Sequence, residues 1–215
     1  MKKYSVAIDG PSGAGKSTIS STVARNLGFL YVDTGALYRV IGLSFLRSGG
    51  LDLSDIDVSL AYIDGVQRMF LCGEDVTESI RLHEVSRAAS DCSALPEVRS
   101  FLLERQRSLA RENSVIMDGR DIGTVVLPGA DVKIFLTAAP EDRARRRYEE
   151  LLARGSKASF DEILRDVTAR DKNDSTRAIA PLRPAEGAVL LDTTGNSFEK
   201  SARLVEGVIR ERLGL

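Results

Sequence analysis

The chain has 215 residues, with 30 basic and 31 acidic side chains and a formal net charge of −1. This length can bury one α/β core with small appendages, and it needs neither a metal nor a disulfide for stability. The balanced charge gives no global positive field for a nucleic-acid polymer, so we expect no such partner. No apolar run is long enough to span a membrane, and we expect no membrane partner.

The cysteine and histidine residues of the chain do not indicate a zinc site or a redox motif. Cys72 and Cys92 fall in no metal-spaced pattern, and His83 is the only histidine. We interpret all three as structural or exposed residues. The N-terminus enters a strand directly, without the charged region, apolar segment and cleavage site of an export signal. We therefore expect a cytoplasmic location.

Five short apolar runs predict the strands of one sheet. They lie at residues 4–9, 29–33, 114–118, 132–137 and 188–192, and helix-like segments separate them. This alternation predicts an α/β fold, in which helices cover both faces of a five-stranded parallel sheet to make three layers. Ligands of such folds bind at the carboxyl ends of the strands.

Two excursions interrupt the alternation. About eighty residues separate the second and third strands, far more than a crossover helix requires. They predict an inserted subdomain, with helices at 35–48, 78–90 and 96–112 and a hairpin at 66–76 that turns at 72–75. The second excursion is helical and rich in arginine, with a break at Gly155.

These patterns predict one unit, residues 1–215, built from three parts. We assign residues 1–34, 114–140 and 178–215 to the core, 35–113 to the insertion and 141–177 to a short helical lid.

The first predicted loop carries the strongest motif. It reads GPSGAGKS, matches G-x-x-x-x-G-K-[ST] at every fixed position, and joins the first strand to a helix at 16–27. Glycines let backbone N–H groups approach phosphate oxygens, Lys16 reaches the β and γ phosphates, and the Ser17 hydroxyl can bind Mg²⁺. The motif predicts a P-loop fold that binds a nucleoside triphosphate. The loop residues are Gly10, Pro11, Ser12, Gly13, Ala14, Gly15, Lys16, Ser17 and Thr18.

Arginines at other strand ends indicate a second ligand. Guanine-specific GTPases need N-K-x-D, which is absent, so the sequence does not favour a GTPase switch. Forked guanidinium donors offset the charge of two facing phosphates, which favours phosphoryl transfer to a monophosphate. The residues concerned are Arg39, Arg120, Arg170 and Arg177.

Five of the candidate residues allow two interpretations. Asp118 is either a strand-end cap or a water-mediated Mg²⁺ ligand. Arg146 lies in a run of arginines that is either a solvated helix face or a clamp on the triphosphate. The spacing of Arg170, Asp174 and Arg177 predicts one helix face, which is either a surface ion-pair ladder or a binding surface.

Three further motifs resemble those of bacterial cytidylate kinases in their order and spacing. They are DTGALYR at 33–39, DGRDIGTVV at 118–126 and RDKNDSTR at 170–177, and the resemblance covers nearly the whole chain. It implies a nucleoside monophosphate kinase of the P-loop superfamily, which phosphorylates CMP and dCMP with ATP and Mg²⁺. It also implies a mobile lid, so we expect the segment 154–157 to resist protease when both nucleotides bind. We expect a monomer.

The resemblance also implies individual roles. Arg39, Arg120 and Arg177 would hold the acceptor phosphate. Arg170, Asp174 and Thr34 would hold the sugar. Ser90, Arg99 and Asp121 would read the cytosine edge. Lys16, Arg120, Arg170 and Arg177 would stabilise the transferring group. Two other classes remain open: a kinase of the same fold for UMP, AMP or a shikimate-like acceptor, and a nucleotide-binding module without catalysis.

Overall fold

The strands and helices follow the hydrophobic pattern of the chain. The computed structural model describes residues 2–153, 155 and 158–215. In chain order the elements are β1 (Ser5–Asp9), α1 (Lys16–Leu27), β2 (Leu30–Asp33), α2 (Thr34–Ser48), β3 (Val58–Ile63), β4 (Val66–Leu71), β5 (Glu74–Asp75), a 3₁₀ turn (Ser79–Arg81), α3 (His83–Cys92), α4 (Pro96–Glu112), β6 (Val115–Gly119), a π-helical turn (Ile122–Val126), β7 (Val132–Thr137), α5 (Pro140–Ala153), α6 (Phe160–Thr176), β8 (Val189–Asp192) and α7 (Phe198–Leu213).

One sheet has the strand order β2–β6–β1–β7–β8. β1 pairs in parallel with β6 and β7, and β7 pairs in parallel with β8. The predicted α/β fold is confirmed, and each of its five strands lies within one residue of its predicted bounds. Since the paired strands run in the same direction, the segments that follow β1, β6 and β7 emerge at one edge of the sheet.

The chain divides into two compact units. The first contains the residues up to Tyr31 and those from Asn113 onwards. Its core packs apolar side chains of β1, β6 and β7 against α1 and α7. The strands in its centre are almost continuously apolar, as expected for a parallel sheet covered on both faces.

The second unit, Val32–Glu112, has its own core and its own antiparallel sheet. This sheet has the order β3–β4–β5. The predicted hairpin is confirmed as β4 and β5, but the longer partner of β4 is β3, which the sequence analysis missed. Asp64 and Gly65 both have positive φ at the β3–β4 turn, as two-residue hairpin turns require.

Helices α5 and α6 of the first unit form a pair with a small core of its own. Ala144, Ile163 and Val167 are buried there, and Tyr148 meets Phe160 edge to face. The predicted break occurs at Gly155, where φ is +81°. Three residues of the predicted protease-sensitive segment, Arg154, Ser156 and Lys157, lie outside the described residues. Within the described ranges, none of the helices combines the length and the apolar character that crossing a bilayer requires.

Candidate active site

The phosphate loop bends tightly between β1 and α1 because its glycines occupy backbone positions that other residues avoid. Gly10 has a φ of +151°, and a Cβ on it would lie 1.9 Å from the carbonyl oxygen of Leu136. Gly13 has a φ of +77°, and its Cβ would lie 3.1 Å from the Arg143 side chain. Both positions therefore need glycine in this turn, although only Gly10 is a fixed position of the motif.

Lys16 is the charged group of the loop. Its side chain is 5% exposed, and its Nζ donates a hydrogen bond to the Pro11 carbonyl at 2.8 Å. Burial, reinforced by the positive charge of Arg120, lowers the pKa of Lys16 from 10.5 to about 7. An anion bound at the loop would favour the ammonium form of Lys16, and the ammonium would in turn stabilise a bound phosphate.

The structure brings together the two predicted magnesium ligands. The Ser17 hydroxyl donates to Asp118 Oδ2 at 2.9 Å, across a separation of 101 residues. The other carboxylate oxygen of Asp118 accepts from the Tyr31 hydroxyl at 2.8 Å. Asp118 is buried at the end of β6, so these two hydrogen bonds fix its carboxylate beside the start of α1.

A second charged cluster in the same unit joins four of the predicted substrate-binding residues. Arg120 Nε donates to Asp174 Oδ2 at 2.8 Å. The Arg177 guanidinium lies 3.9 Å from Asp174 and 3.6 Å from Asp121. Burial raises the pKa of Asp174, but the surrounding guanidiniums, Arg120 first and then Arg170 and Arg177, outweigh it and hold the pKa below its ordinary value.

The interpretation of Arg170, Asp174 and Arg177 as one helix face is wrong in one respect. Helix α6 ends at Thr176, and Arg177 has an extended backbone with φ −60° and ψ 143°. Its Nε donates to the Ala180 carbonyl at 2.7 Å. The Arg177 side chain is nevertheless 8% exposed and close to Asp174, so a buried cluster replaces the surface ladder.

Helix α5 places two arginines against the phosphate loop. Arg143 is buried, and it donates to the Ala138 and Ser12 carbonyls at 2.8 and 2.9 Å and to Asp171 Oδ2 at 2.6 Å. Arg146 Nη1 lies 3.5 Å from the Ala14 carbonyl. Its Nη2 donates to the Thr193 carbonyl at 3.0 Å, so Arg146 lies between the loop and the segment after β8. Arg143, which is more deeply buried, was not among the predicted site residues.

The remaining predicted residues belong to the second unit. Arg99 is buried, its Nη1 donates to the Ser93 carbonyl at 3.0 Å, and its guanidinium lies 5.6 Å from the centre of the Tyr38 ring. The Ser93 hydroxyl donates to the Ser90 carbonyl at 2.8 Å. Ser93 thus links Ser90 to Arg99, two residues predicted to read the same base.

Helix α2 of this unit carries the other two predicted residues. Thr34 is its first residue and is buried. Arg39 follows about one and a half turns later and donates from Nη1 to the Ile80 carbonyl at 3.0 Å.

Comparison with known proteins identifies the family. The family model described as cytidylate kinase matches residues 6–211. The chain belongs to the cytidylate kinase family. A cytidylate kinase of Caldicellulosiruptor bescii is 49% identical over 93% of this chain and 92% of that protein. One of Lactococcus lactis subsp. cremoris is 45% identical over 96% and 97% of the two chains.

The similarity to a solved structure concerns the fold of this chain only. An uncharacterised protein from Eubacterium ventriosum superposes with a TM-score of 0.57, at 10% identity, over 98% of this chain and 99% of that one. Membership of the cytidylate kinase family, by contrast, makes this chain a nucleoside monophosphate kinase that acts on small nucleotides with ATP as the phosphoryl donor. The sequence resemblance to this family is therefore confirmed, and a role as a binding module without catalysis is not supported.

Ser17 and Asp118 are chemically suited to the magnesium ion that kinases of this type use. Mg²⁺ prefers oxygen ligands, keeps several waters and is held by one or two protein groups together with substrate phosphates. A hydroxyl and a carboxylate in contact fit that requirement. Among the described residues, no group of three histidine, cysteine, aspartate or glutamate side chains could hold a metal on its own.

Sequence analysis missed Asp9, the last residue of β1. Asp9 is buried, and its two carboxylate oxygens accept from the Ile122 and Gly123 backbone N–H groups at 2.7 and 2.8 Å. These N–H groups begin the π-helical turn that follows Arg120 and Asp121. A carboxylate at the end of an otherwise apolar strand was the available signal, since an acidic group is rarely buried without partners.

We expect the stability of the Asp9→Asn variant, compared with that of the wild type, to increase as the pH rises. Burial, partly opposed by the Gly123 and Ile122 N–H groups, raises the pKa of Asp9 from 3.8 to about 6. The folded state therefore binds this proton more tightly than the unfolded state does. The stability that the bound proton contributes is lost as the pH rises through that interval. Asparagine does not titrate, so the Tm of the variant minus that of the wild type should increase between about pH 4 and 6 and level off at higher pH. A constant difference would show that Asp9 is ionised throughout.

Proposed function

We propose that this chain transfers the γ-phosphoryl group of ATP to CMP and dCMP, in pyrimidine nucleotide metabolism. The observation that carries the proposal is a phosphate loop with a buried lysine in the same compact unit as a cluster of guanidiniums around the buried Asp174. Membership of the cytidylate kinase family favours a cytosine nucleotide as acceptor.

The donor half would rest on the loop. Its backbone N–H groups and the N-terminus of α1 would bind the β and γ phosphates, with Lys16 on the transferring group and Arg146 as a clamp. Mg²⁺, when bound at Ser17 and through water at Asp118, would neutralise charge on the β and γ oxygens.

The acceptor half would use Arg120 and Arg177 to hold the acceptor phosphate, and Arg170 to stabilise the transferring group. A guanidinium has five N–H donors, and Arg120 directs two of its nitrogens to Asp174 and Gly119. The second pKa of a phosphomonoester is about 6, so the nucleophilic oxygen is largely ionised at neutral pH and needs no general base. Catalysis would then consist of positioning and electrostatic stabilisation.

Base selection would depend on Asp121, Ser90 and Arg99. A carboxylate accepts from the exocyclic amine of cytosine, whereas uracil carries a carbonyl oxygen at that position. Arg39 would contribute to the acceptor phosphate, and Thr34, Arg170 and Asp174 would hold the sugar. UMP, AMP and shikimate are the alternative acceptors, since a phosphate loop alone does not choose among them.

We also propose that residues 141–177 form the lid, with 1–34, 114–140 and 178–215 as core and 35–113 as the acceptor-binding insertion. Arg143 ties the first turn of α5 to the phosphate loop, so motion should be concentrated at the far end of the α5–α6 pair. A cytoplasmic location and a monomeric state remain predictions.

A coupled ADP-release assay tests the proposal. Purified protein is given ATP and Mg²⁺ with CMP, dCMP, UMP, AMP or shikimate in turn. We expect efficient turnover with CMP and dCMP only. Equal turnover with UMP would contradict the roles given to Asp121, Ser90 and Arg99, and turnover with shikimate would contradict the monophosphate acceptor.

The variant Asp121→Asn tests base recognition. The amide presents a donor where the carboxylate only accepted, so we expect kcat/KM for CMP to fall by about 10²-fold or more. The ratio of CMP to UMP turnover should fall with it. An unchanged ratio would remove Asp121 from base recognition.

A further inference from the structure

The antiparallel sheet of the second unit contacts the chain that leads into α2. Gln67 lies on β4, directly opposite Tyr62 of β3 in the register of the sheet. Its carboxamide engages both main-chain polar groups of one residue. The Asp33 N–H donates to Gln67 Oε1 at 2.9 Å, and Gln67 Nε2 donates to the Asp33 carbonyl at 3.2 Å.

This double hydrogen bond resembles a strand pairing. In antiparallel sheets, opposite residues exchange an N–H and a carbonyl in the same way. A primary amide has one donor and one acceptor group, so it can satisfy both at once. Gln67 therefore holds the peptide groups on both sides of Asp33 in one orientation.

Asp33 is the residue at which the chain turns from β2 into α2. It is the N-cap of α2, and its Oδ1 accepts from the Ala36 N–H at 3.0 Å. Thr34, the next residue, is 2% exposed. The orientation of the Asp33 carbonyl also sets the orientation of the Thr34 peptide, because the two share one planar unit.

Further contacts hold the same position. Arg81 Nη1 lies 3.5 Å from Asp33 Oδ2. Burial, and then the negative charge of Asp33, raise the pKa of the Tyr62 phenol above its ordinary value.

We infer that Gln67 is a positioning residue for the acceptor nucleotide, acting through the Asp33 main chain on Thr34. The inference rests on the proposed function, and it gives the β3–β4 hairpin a role in acceptor binding. In this role Gln67 would contact no reacting atom. Its removal should weaken acceptor binding and leave ATP binding unchanged, because the phosphate loop belongs to the other compact unit.

The variant Gln67→Met tests the inference. Methionine preserves the length and packing of the side chain, but it cannot donate to the Asp33 carbonyl. We expect KM for CMP to rise roughly ten-fold, because the Asp33–Thr34 peptide would no longer be held in the orientation that acceptor binding requires. KM for ATP should change less than about two-fold, and the Tm should show that the variant is folded.

Val66→Ala is the matched control. Val66 is the neighbouring residue on β4 and is 57% exposed, so its truncation should leave both KM values unchanged. An unchanged KM for CMP in Gln67→Met, or an equal rise in both KM values, would overturn the inference.

A double-mutant cycle with Thr34→Ala tests the route of the effect. If Gln67 acts through Thr34, the two increases in the Kd of CMP should not multiply, and the double variant should bind about as weakly as the weaker single variant. Multiplicative losses would overturn the inference.

Wild-type activity is measured first: a wild type that uses another monophosphate refutes only the CMP assignment, and the comparison is then made with that acceptor. A wild type that uses none refutes both.

Discussion

Lys16→Ala is expected to lower kcat by about 10²–10³-fold for every acceptor, as removal of one preorganised charged donor does in other enzymes. Lys16 is buried, and its hydrogen bond to the Pro11 carbonyl holds the ammonium at the phosphate loop. The charge developing on the transferring group would lose this stabilisation in the transition state. Steady-state kinetics with saturating ATP and CMP measures the loss.

Lys133→Ala is the control for the loss of a lysine. Lys133 lies on β7, and its Nζ donates to the exposed Glu186 carbonyl at 3.4 Å. We expect near wild-type kcat from this variant. If Lys16→Ala retained comparable activity, the phosphate loop would not support the transfer.

Arg143→Met is expected to be the most destabilising of the substitutions considered. It removes one partner of the Arg143–Asp171 ion pair and leaves the Ser12 and Ala138 carbonyls without their donor from this side chain. We expect a loss of about 3 kcal/mol in the free energy of unfolding, or roughly 6–12 °C in Tm for a chain of this size. Thermal unfolding measures it, and a raised KM for ATP should accompany it because Ser12 belongs to the phosphate loop.

Arg147→Met provides the comparison on the same helix. Arg147 pairs with Glu150 at 2.8 Å, in an i, i+3 arrangement in which Glu150 is exposed. Exposed pairs contribute about 0.2–1 kcal/mol, so this variant should lose little stability. Equal losses in the two variants would show that Arg143 does not anchor the phosphate loop.

The phosphate loop and the core strands were predictable because local sequence determines them. Gly10 needs a conformation that only glycine adopts readily, and the apolar runs of the core strands can be buried only in a sheet covered on both faces. Strand β3 also had a local signal, since Asp64–Gly65 between apolar runs is typical of a two-residue hairpin turn. The sequence analysis placed the hairpin at the next such turn and missed that signal.

The charged contacts of the site were less accessible from the sequence. Arg120 and Asp174 pair across a separation of 54 residues, and Arg143 reaches Ser12 across 131 residues. Such pairs depend on tertiary packing. Helical spacing placed Arg177 on α6, whereas the helix ends at Thr176 and Arg177 has an extended backbone. Composition could not distinguish buried Arg143 from the other arginines of α5.

Transfer of labelled phosphorus tests the central claim most directly. The protein is incubated with Mg²⁺, CMP and ATP labelled in the γ-phosphoryl group, and the products are separated. We predict that the label appears in the β-phosphoryl group of CDP, at the rate of ADP formation. Label released as inorganic phosphate without labelled CDP would contradict direct transfer to CMP.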